Sequence, residues 1–200
     1  RALYTYIKKN NKWLWMLLIN YQSHNFDDAE TSLLKVGFVP ILTKTMFTYL
    51  IFNKTITQDR LSLSNNWRHN LKRANKNDDL EIEWVSSYED REKVYSHLSE
   101  LYEKLRERKN FKAGIDLNLA HNLMALDQSI IIVQARLSGK VVAIRVASVC
   151  NDHLLDLFAA SNEGAKKCYA NYLLMWEMIM KMKELNKIYF DTGGIDPASN

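Results

Sequence analysis

The stretch from Ser129 to Asp191 constrains the fold most. Three segments rich in apolar and β-branched residues, Ser129–Leu137, Lys140–Cys150 and His153–Ala160, are separated only by the turn-like pairs Ser138-Gly139 and Asn151-Asp152. Segments joined this tightly read as consecutive antiparallel strands. Ala165–Asn186 then reads as one long helix, apolar almost all round and so largely buried. Lys187–Asp191 reads as a further strand, stopped by Gly193-Gly194. The expected class is α+β, a mixed, mostly antiparallel sheet flanked by helices.

Strand alternation sorts the side chains. Two-residue turns set Leu137 opposite Lys140 and Cys150 opposite His153. Val133, Ala135, Leu137, Val142, Ile144, Val146, Leu155 and Leu157 then share one apolar face, which packs under the 165–186 helix. The opposite face carries Gln134, Arg136, Arg145, Asp156 and Phe158. Arg145 and Asp156 become diagonal neighbours within reach of each other, and they stay on one face if the second turn slips by two positions. Such a pair is either an ion pair on a solvated sheet face or the polar floor of a substrate cleft.

Upstream, Pro40–Phe52 reads as strand, Ser62–Lys76 as helix, Leu80–Val85 as strand, and Asp90–Lys109 and Asp116–Asp127 as helices, the last capped by Asp116. Lys12–Asn20 is a compact apolar stretch, and Asp27–Leu34 a short helix ended near Gly37. The longest apolar run, Trp13–Ile19, is far short of the roughly 20 residues a membrane-spanning helix needs. Cys150 and Cys168 match no disulfide framework or metal spacing, so they read as reduced core thiols in a cytoplasmic protein. His24, His69, His97, His121 and His153 are scattered, which argues against a metal site. A net charge of +4 suits an anionic substrate without reaching the density of a dedicated nucleic-acid module. The chain opens on Arg1, and both ends read as cut.

Two segments carry candidate chemistry. The helix segment Trp67-Arg68-His69-Asn70-Leu71-Lys72-Arg73-Ala74-Asn75-Lys76 holds four cations and no acid. Trp67, Leu71 and Ala74 anchor one side, while Arg68, Lys72 and Lys76 line another with Arg73 beside them. That stripe is either a solvated face or a holder of phosphates, with arginine in bidentate contact. The second segment is Tyr189-Phe190-Asp191-Thr192-Gly193-Gly194-Ile195-Asp196. Two glycines allow close backbone approach to a ligand, or positive φ. Asp191 there either accepts a proton from a nucleophilic amine or bonds its own turn. Tyr169, Asn171 and Tyr172 open the long helix near the expected cleft. Met175, Trp176, Met178, Met180 and Met182 read as core filling.

The ordered set of Trp67–Ala74, three strands, a helix and Asp191-Thr192-Gly193-Gly194-Ile195-Asp196 resembles the Fem-type aminoacyltransferases and the wider FemAB-like acyltransferases. The resemblance implies a fold of two tandem GNAT-like units. Residues 43–200 would be the second, truncated at its C-terminal end, and residues 1–42 the tail of the first. It also implies transfer of an aminoacyl or acyl group to an amine of a cell-envelope or polysaccharide precursor. No cofactor is then tightly bound. The donor is aminoacyl-tRNA or acyl-CoA, and a lipid-linked acceptor would bring the protein to the membrane surface without a spanning segment. Arg68, Lys72 and Arg73 become candidates for the anionic groups of donor or acceptor. Arg145 with Asp156 shapes the cleft, and Tyr169, Asn171 and Tyr172 line it. Asp191 and Asp156 become the candidate catalytic acids, with Gly193 and Gly194 on the acceptor side. Amine attack on an activated ester needs alignment, a proton acceptor and oxyanion stabilisation, but no covalent nucleophile.

The sequence also departs from the family. A GNAT domain that binds acetyl-CoA carries a Gln/Arg-x-x-Gly-x-Gly/Ala loop whose backbone N–H groups hold the pyrophosphate. Here that loop reads Ala160-Ser161-Asn162-Glu163-Gly164-Ala165-Lys166-Lys167, with one glycine and an acid. The Fem pattern continues past the Gly-Gly turn into a Phe- and Lys-containing segment that lies beyond Asn200. Two alternatives stay open: an N-acetyltransferase acting on an amino sugar or small amine, and a non-catalytic RNA- or anion-binding module on a degenerate GNAT scaffold.

Overall fold

In the computed structural model, which describes residues 33–35, 47–53, 63–109 and 117–195, six strands form one sheet. The strands are β1 (Phe47–Phe52), β2 (Leu80–Val85), β3 (Ile130–Leu137), β4 (Lys140–Val149), β5 (His153–Ser161) and β6 (Tyr189–Ile195). Five helices accompany them: α1 (Asn65–Asn75), α2 (Tyr88–Lys109), α3 (Leu117–Leu126), α4 (Glu163–Lys167) and α5 (Ala170–Glu184). The spatial strand order is β1-β6-β5-β4-β3-β2, and only β5 and β6 run parallel. The chain divides into two units, Arg1–Thr45 and Met46–Asn200. Of the first, residues 33–35 are described and are helical. The expected elements over 12–20, 27–32 and 40–46, and the Asp116 cap, lie outside the described residues.

Local chemistry explains the element boundaries. Ser64 caps α1, its hydroxyl accepting from the Trp67 N–H at 3.3 Å, so the helix starts at Asn65 rather than Ser62. Ser87 and Asp90 form a reciprocal cap: the Asp90 N–H donates to Ser87 Oγ at 3.1 Å, and that hydroxyl donates to Asp90 Oδ2 at 2.6 Å. This starts α2 at Tyr88, two residues before the expected Asp90. The β3–β4 turn needs positive φ at both central residues, and Ser138 (49°) and Gly139 (78°) supply it.

Both faces of the sheet are covered, which corrects the expectation of one apolar and one wet face. On one side α1 and α5 bury Leu71, Ala74, Val133, Ala135, Leu154, Leu174, Met178, Ile179 and Phe190. On the other, α2 and α3 bury Val94, Leu98, Met124, Ile132, Ile144 and Val146. The cause is a β-bulge. Leu137 does face Lys140, and Arg136 faces Val141, but beyond them Ala135 faces Ala143. The extra residue in β4, Val142, shifts every later β4 side chain to the other face; a second bulge at Leu157 then leaves Phe158, expected beside Arg145, on the α2 side. Ile144 and Val146 therefore leave the expected set and join Ile132, with Leu157 packed against them. Arg145 moves the opposite way and lies under α5, close to Met175. Gln134 and Arg136 stay on the α2 side, where both bond Glu83 Oε2, at 2.8 and 2.9 Å.

Three further expectations are corrected. The long helix is broken: α4 ends at Lys167, Tyr169 takes φ 60°, and α5 starts at Ala170. Met180, expected in the core, is exposed. Gly193 and Gly194 do not stop β6; they lie within it, at a bulge against β1 where Thr48 faces Gly194 and Leu50 faces Asp191. Gly193 has φ 81°, a conformation that favours glycine.

Phe190 is 0% exposed between α5 and the sheet. Phe190→Ala is expected to cost about 3–5 kcal/mol of unfolding free energy, read from urea denaturation of the purified chain.

Candidate active site

The parallel ladder between β5 and β6 is short. Its register runs His153–Tyr189, Leu154–Phe190 and Leu155–Asp191. Beyond that β5 continues to Ser161, while β6 turns to β1 through its bulge. Among the described residues the β5–β6 ladder ends at Leu155 and Asp191, just before Asp156.

Beside the end of this ladder lies a largely buried ion pair. Arg145 Nη1 donates to Asp156 Oδ2 at 2.5 Å, and each side chain is only 12% exposed. Met175 of α5 lies over the pair, its Sδ 3.8 Å from Arg145 Nη1. The second carboxylate oxygen, Asp156 Oδ1, is buried with no hydrogen-bond partner among the described residues. Burial pushes the Asp156 carboxyl up to about 6, against the pull of Arg145, and the neighbouring Asp191 adds to the rise. Asp191 is buried at the end of the ladder, and its Oδ1 accepts the Gly193 N–H at 2.9 Å. That bond fixes the bulge. A Cβ at Gly193 would lie 3.5 Å from the Asp156 carbonyl oxygen, so the bulge runs directly beside Asp156.

A second group forms where α1 leans on the start of α5. Trp67 packs edge-on against Tyr172, ring centroids 5.5 Å apart, and against Trp176 at 6.3 Å. Arg73 Nη1 donates to the Tyr169 hydroxyl at 2.6 Å, with its guanidinium 5.3 Å from the ring centroid. Tyr169, at the junction of α4 and α5, takes a left-handed conformation unusual for a bulky residue. Asn171 Nδ2 donates to Ser161 Oγ at 3.1 Å, tying α5 to the end of β5.

The residues expected from sequence thus fall into two groups, Arg145, Asp156, Asp191 and Gly193 at the end of the β5–β6 ladder, and Arg73, Tyr169, Asn171 and Tyr172 at the α5 start. Arg68 and Lys72 join neither among the described residues. Arg68 bonds Asn65 within its own helix, and Lys72 is exposed. Gly194 faces Thr48 across the bulge. Sequence reasoning missed Met175 as a neighbour of Arg145, because its periodicity marks it only as buried helix. It also missed a cavity of about 470 Å³ between α2, the β3–β4 hairpin and the β5–α4 loop, lined among others by Lys104, Leu105, Arg108, Lys140, Val142 and Glu163. Among the described residues no helix is long and apolar enough to cross a membrane, and no cluster of His, Cys, Asp and Glu could hold a metal ion.

The model of the acetyltransferase (GNAT) domain family matches residues 62–198, more than half of the chain. The chain belongs to that family. The GNAT match contains α1, the whole β2–β6 sheet and both residue groups just described, so this is an acyltransferase domain. Solved structures share the fold. FemX superposes with a TM-score of 0.70 at 15% identity, covering 100% of this chain and 68% of its own. L-PGS from Bacillus licheniformis gives 0.55 at 14%, covering 86% and 52%. The C-terminal domain of an Agrobacterium fabrum protein gives 0.57 at 14%, covering 75% of this chain. The chain spans only 48% of that last relative. No curated protein matches.

The Arg145–Asp156 contact has a measurable consequence. Arg145→Ala leaves a carboxylate buried without its cation, with an expected loss of about 3 kcal/mol in urea unfolding. Asp156→Asn keeps an acceptor for Arg145 and is expected to cost clearly less.

Proposed function

We propose that this GNAT domain transfers an aminoacyl or acyl group from an activated ester or thioester to an amine of a cell-envelope or polysaccharide precursor. Asp156 takes up the proton. The observation that carries the reading is the unpartnered Oδ1 of Asp156 beside the end of the β5–β6 ladder, with Oδ2 held by Arg145. A carboxyl at about 6 is ionised at neutral pH and can still accept a proton from nitrogen once C–N bond formation has made that nitrogen acidic.

The step runs as follows. The amine lone pair attacks the carbonyl carbon, and the C–N bond forms. The ester C–O or thioester C–S bond breaks, and its electron pair leaves with the alcohol or thiol group, which takes a proton from solvent, to which Asp156 later returns its own. The proton lost from nitrogen passes to Asp156 Oδ1. Arg145 holds the carboxylate in position, and Asp191 shapes the bulge that closes the acceptor side. Arg73, on Tyr169, supplies a fixed cation for an anionic part of donor or acceptor. The envelope-precursor class of acceptor follows from the resemblance of Trp67–Ala74 and Asp191–Asp196 to the FemAB-like acyltransferases, and the fold shared with FemX is consistent with it.

Asp156→Asn is expected to lower kcat about 10²–10⁴-fold on an amine acceptor, with a much smaller change in KM. The wild-type rate should rise with pH through about 6 and then level, because the base works only when ionised. A wild-type rate in the Asn variant rejects the role.

One observation favours a second reading. The exposed Lys72 and Lys76 of α1 lie on a helix that has no acid. A non-catalytic polyanion binder would use that stripe alone. RNA affinity falling steeply with salt, with no acyl transfer to any amine tested, decides for the binder.

A further inference from the structure

We propose that Glu163 is a donor-specificity residue, its carboxylate barring a nucleoside-diphosphate carrier such as CoA from the β5–α4 loop. The inference rests on the acyl-transfer reading only in calling that carrier a donor. Whether the loop accepts a diphosphate is a separate physical question.

A loop built for pyrophosphate offers free backbone N–H groups, glycines that admit the ligand, and unpaired cations nearby. Part of each provision is already used by the chain itself. The Asn162 side chain accepts the Ala165 N–H at 3.2 Å, which removes one donor of the first helical turn. Gly164 does not open a cradle. A Cβ there would stand 3.0 Å from Asn162 Oδ1 and 3.2 Å from Val142 Cγ1, so the glycine is required by packing against the chain's own atoms.

Three nearby cations, Arg108, Lys166 and Lys104, are already paired. The Glu163 carboxylate bonds Arg108 of α2 and Lys166 of α4, the latter at 2.9 Å. Lys104, on the same cavity wall as Arg108, pairs with Glu100 at 2.5 Å. Glu163 therefore stands where an anion would, held there by Lys166 and Arg108. Their contacts keep its carboxyl below the usual range, so it is charged throughout neutral pH. A diphosphate entering the loop would meet this carboxylate at close range and would have to displace it from both partners. The carboxylate is 59% exposed, so nothing but its charge and these two contacts holds the position.

The experiment titrates coenzyme A, and separately inorganic pyrophosphate, into the full chain by calorimetry. The wild-type chain is expected to show no saturable binding up to about 1 mM. Glu163→Gln keeps the side-chain shape and removes the charge, and should tighten both ligands by at least about tenfold. Glu163→Ala gives the same reading should the glutamine variant not fold. Arg108→Gln frees one contact but leaves the carboxylate in place, and should bring no gain. Micromolar coenzyme A binding by the wild type overturns the proposal. So does a folded Glu163 variant with unchanged affinity, or a gain in Arg108→Gln equal to that in Glu163→Gln. The titration contains no acyl group. Failure of the Asp156 role therefore leaves its outcome untouched, and its failure leaves the Asp156 role untouched.

Discussion

One extra residue in β4 decides what this sheet can do. With an unbroken β3–β4 ladder, Arg145 would lie on the α2 side of the sheet beside Gln134. Val142 is accommodated instead as a bulge, and everything after it turns over. Arg145 arrives under α5, facing the strand from which Asp156 projects. The same turn sends Ile144 and Val146 into the core beneath α2. The apolar packing on one face and the ionic pair on the other are thus two results of one backbone irregularity. Neither can be altered alone by moving the register.

Burying that pair is costly. Two charges with 12% exposure each lose most of their hydration, and the attraction between them does little more than offset the loss. A hydrophobic pair of similar volume would serve stability as well. The carboxylate is also left with one oxygen unsatisfied, a rarity in folded interiors that calls for its own reason. Proximity to Asp191 makes the cost larger, since a second acid resists the ionisation of the first. All three costs fall where the β5–β6 ladder ends. This coincidence, more than any single contact, supports the role proposed for Asp156.

The sequence is legible where local rules decide and opaque where tertiary packing does. The strands from Leu80 to Val85 and from Ile130 to Ser161 follow from β-branched runs and from a Ser-Gly turn that needs positive φ. The neighbourhood of Arg145 and Asp156 was readable too, because both sit near their turns and the inference tolerates a slip of two. The bulge was not readable. Alternation reveals an extra residue only when one face is polar, and here helices cover both. The break at Cys168-Tyr169 carries no glycine or proline to announce it; a tyrosine takes φ 60° there and bonds Arg73 of another helix. The glycines after Asp191 misled in the opposite sense, since a bulge inside a strand and a strand end use the same residue.

The contrast between the two ends of the α4–α5 segment bears on how this domain holds an acyl donor. At the α4 end Glu163 and Asn162 engage Lys166, Arg108 and the Ala165 N–H. At the α5 end the pattern is reversed. Arg73 has its geometry fixed by a phenol, which leaves its charge uncompensated by any acid on its own helix. Lys72 and Lys76 stand exposed on the same surface. A guanidinium oriented by a neutral group is prepared for an anion from outside, whereas one oriented by a carboxylate is already satisfied. The cations of α1 thus have no acid on their own helix to satisfy them, whereas Lys166 and Arg108 at the α4 end already hold Glu163.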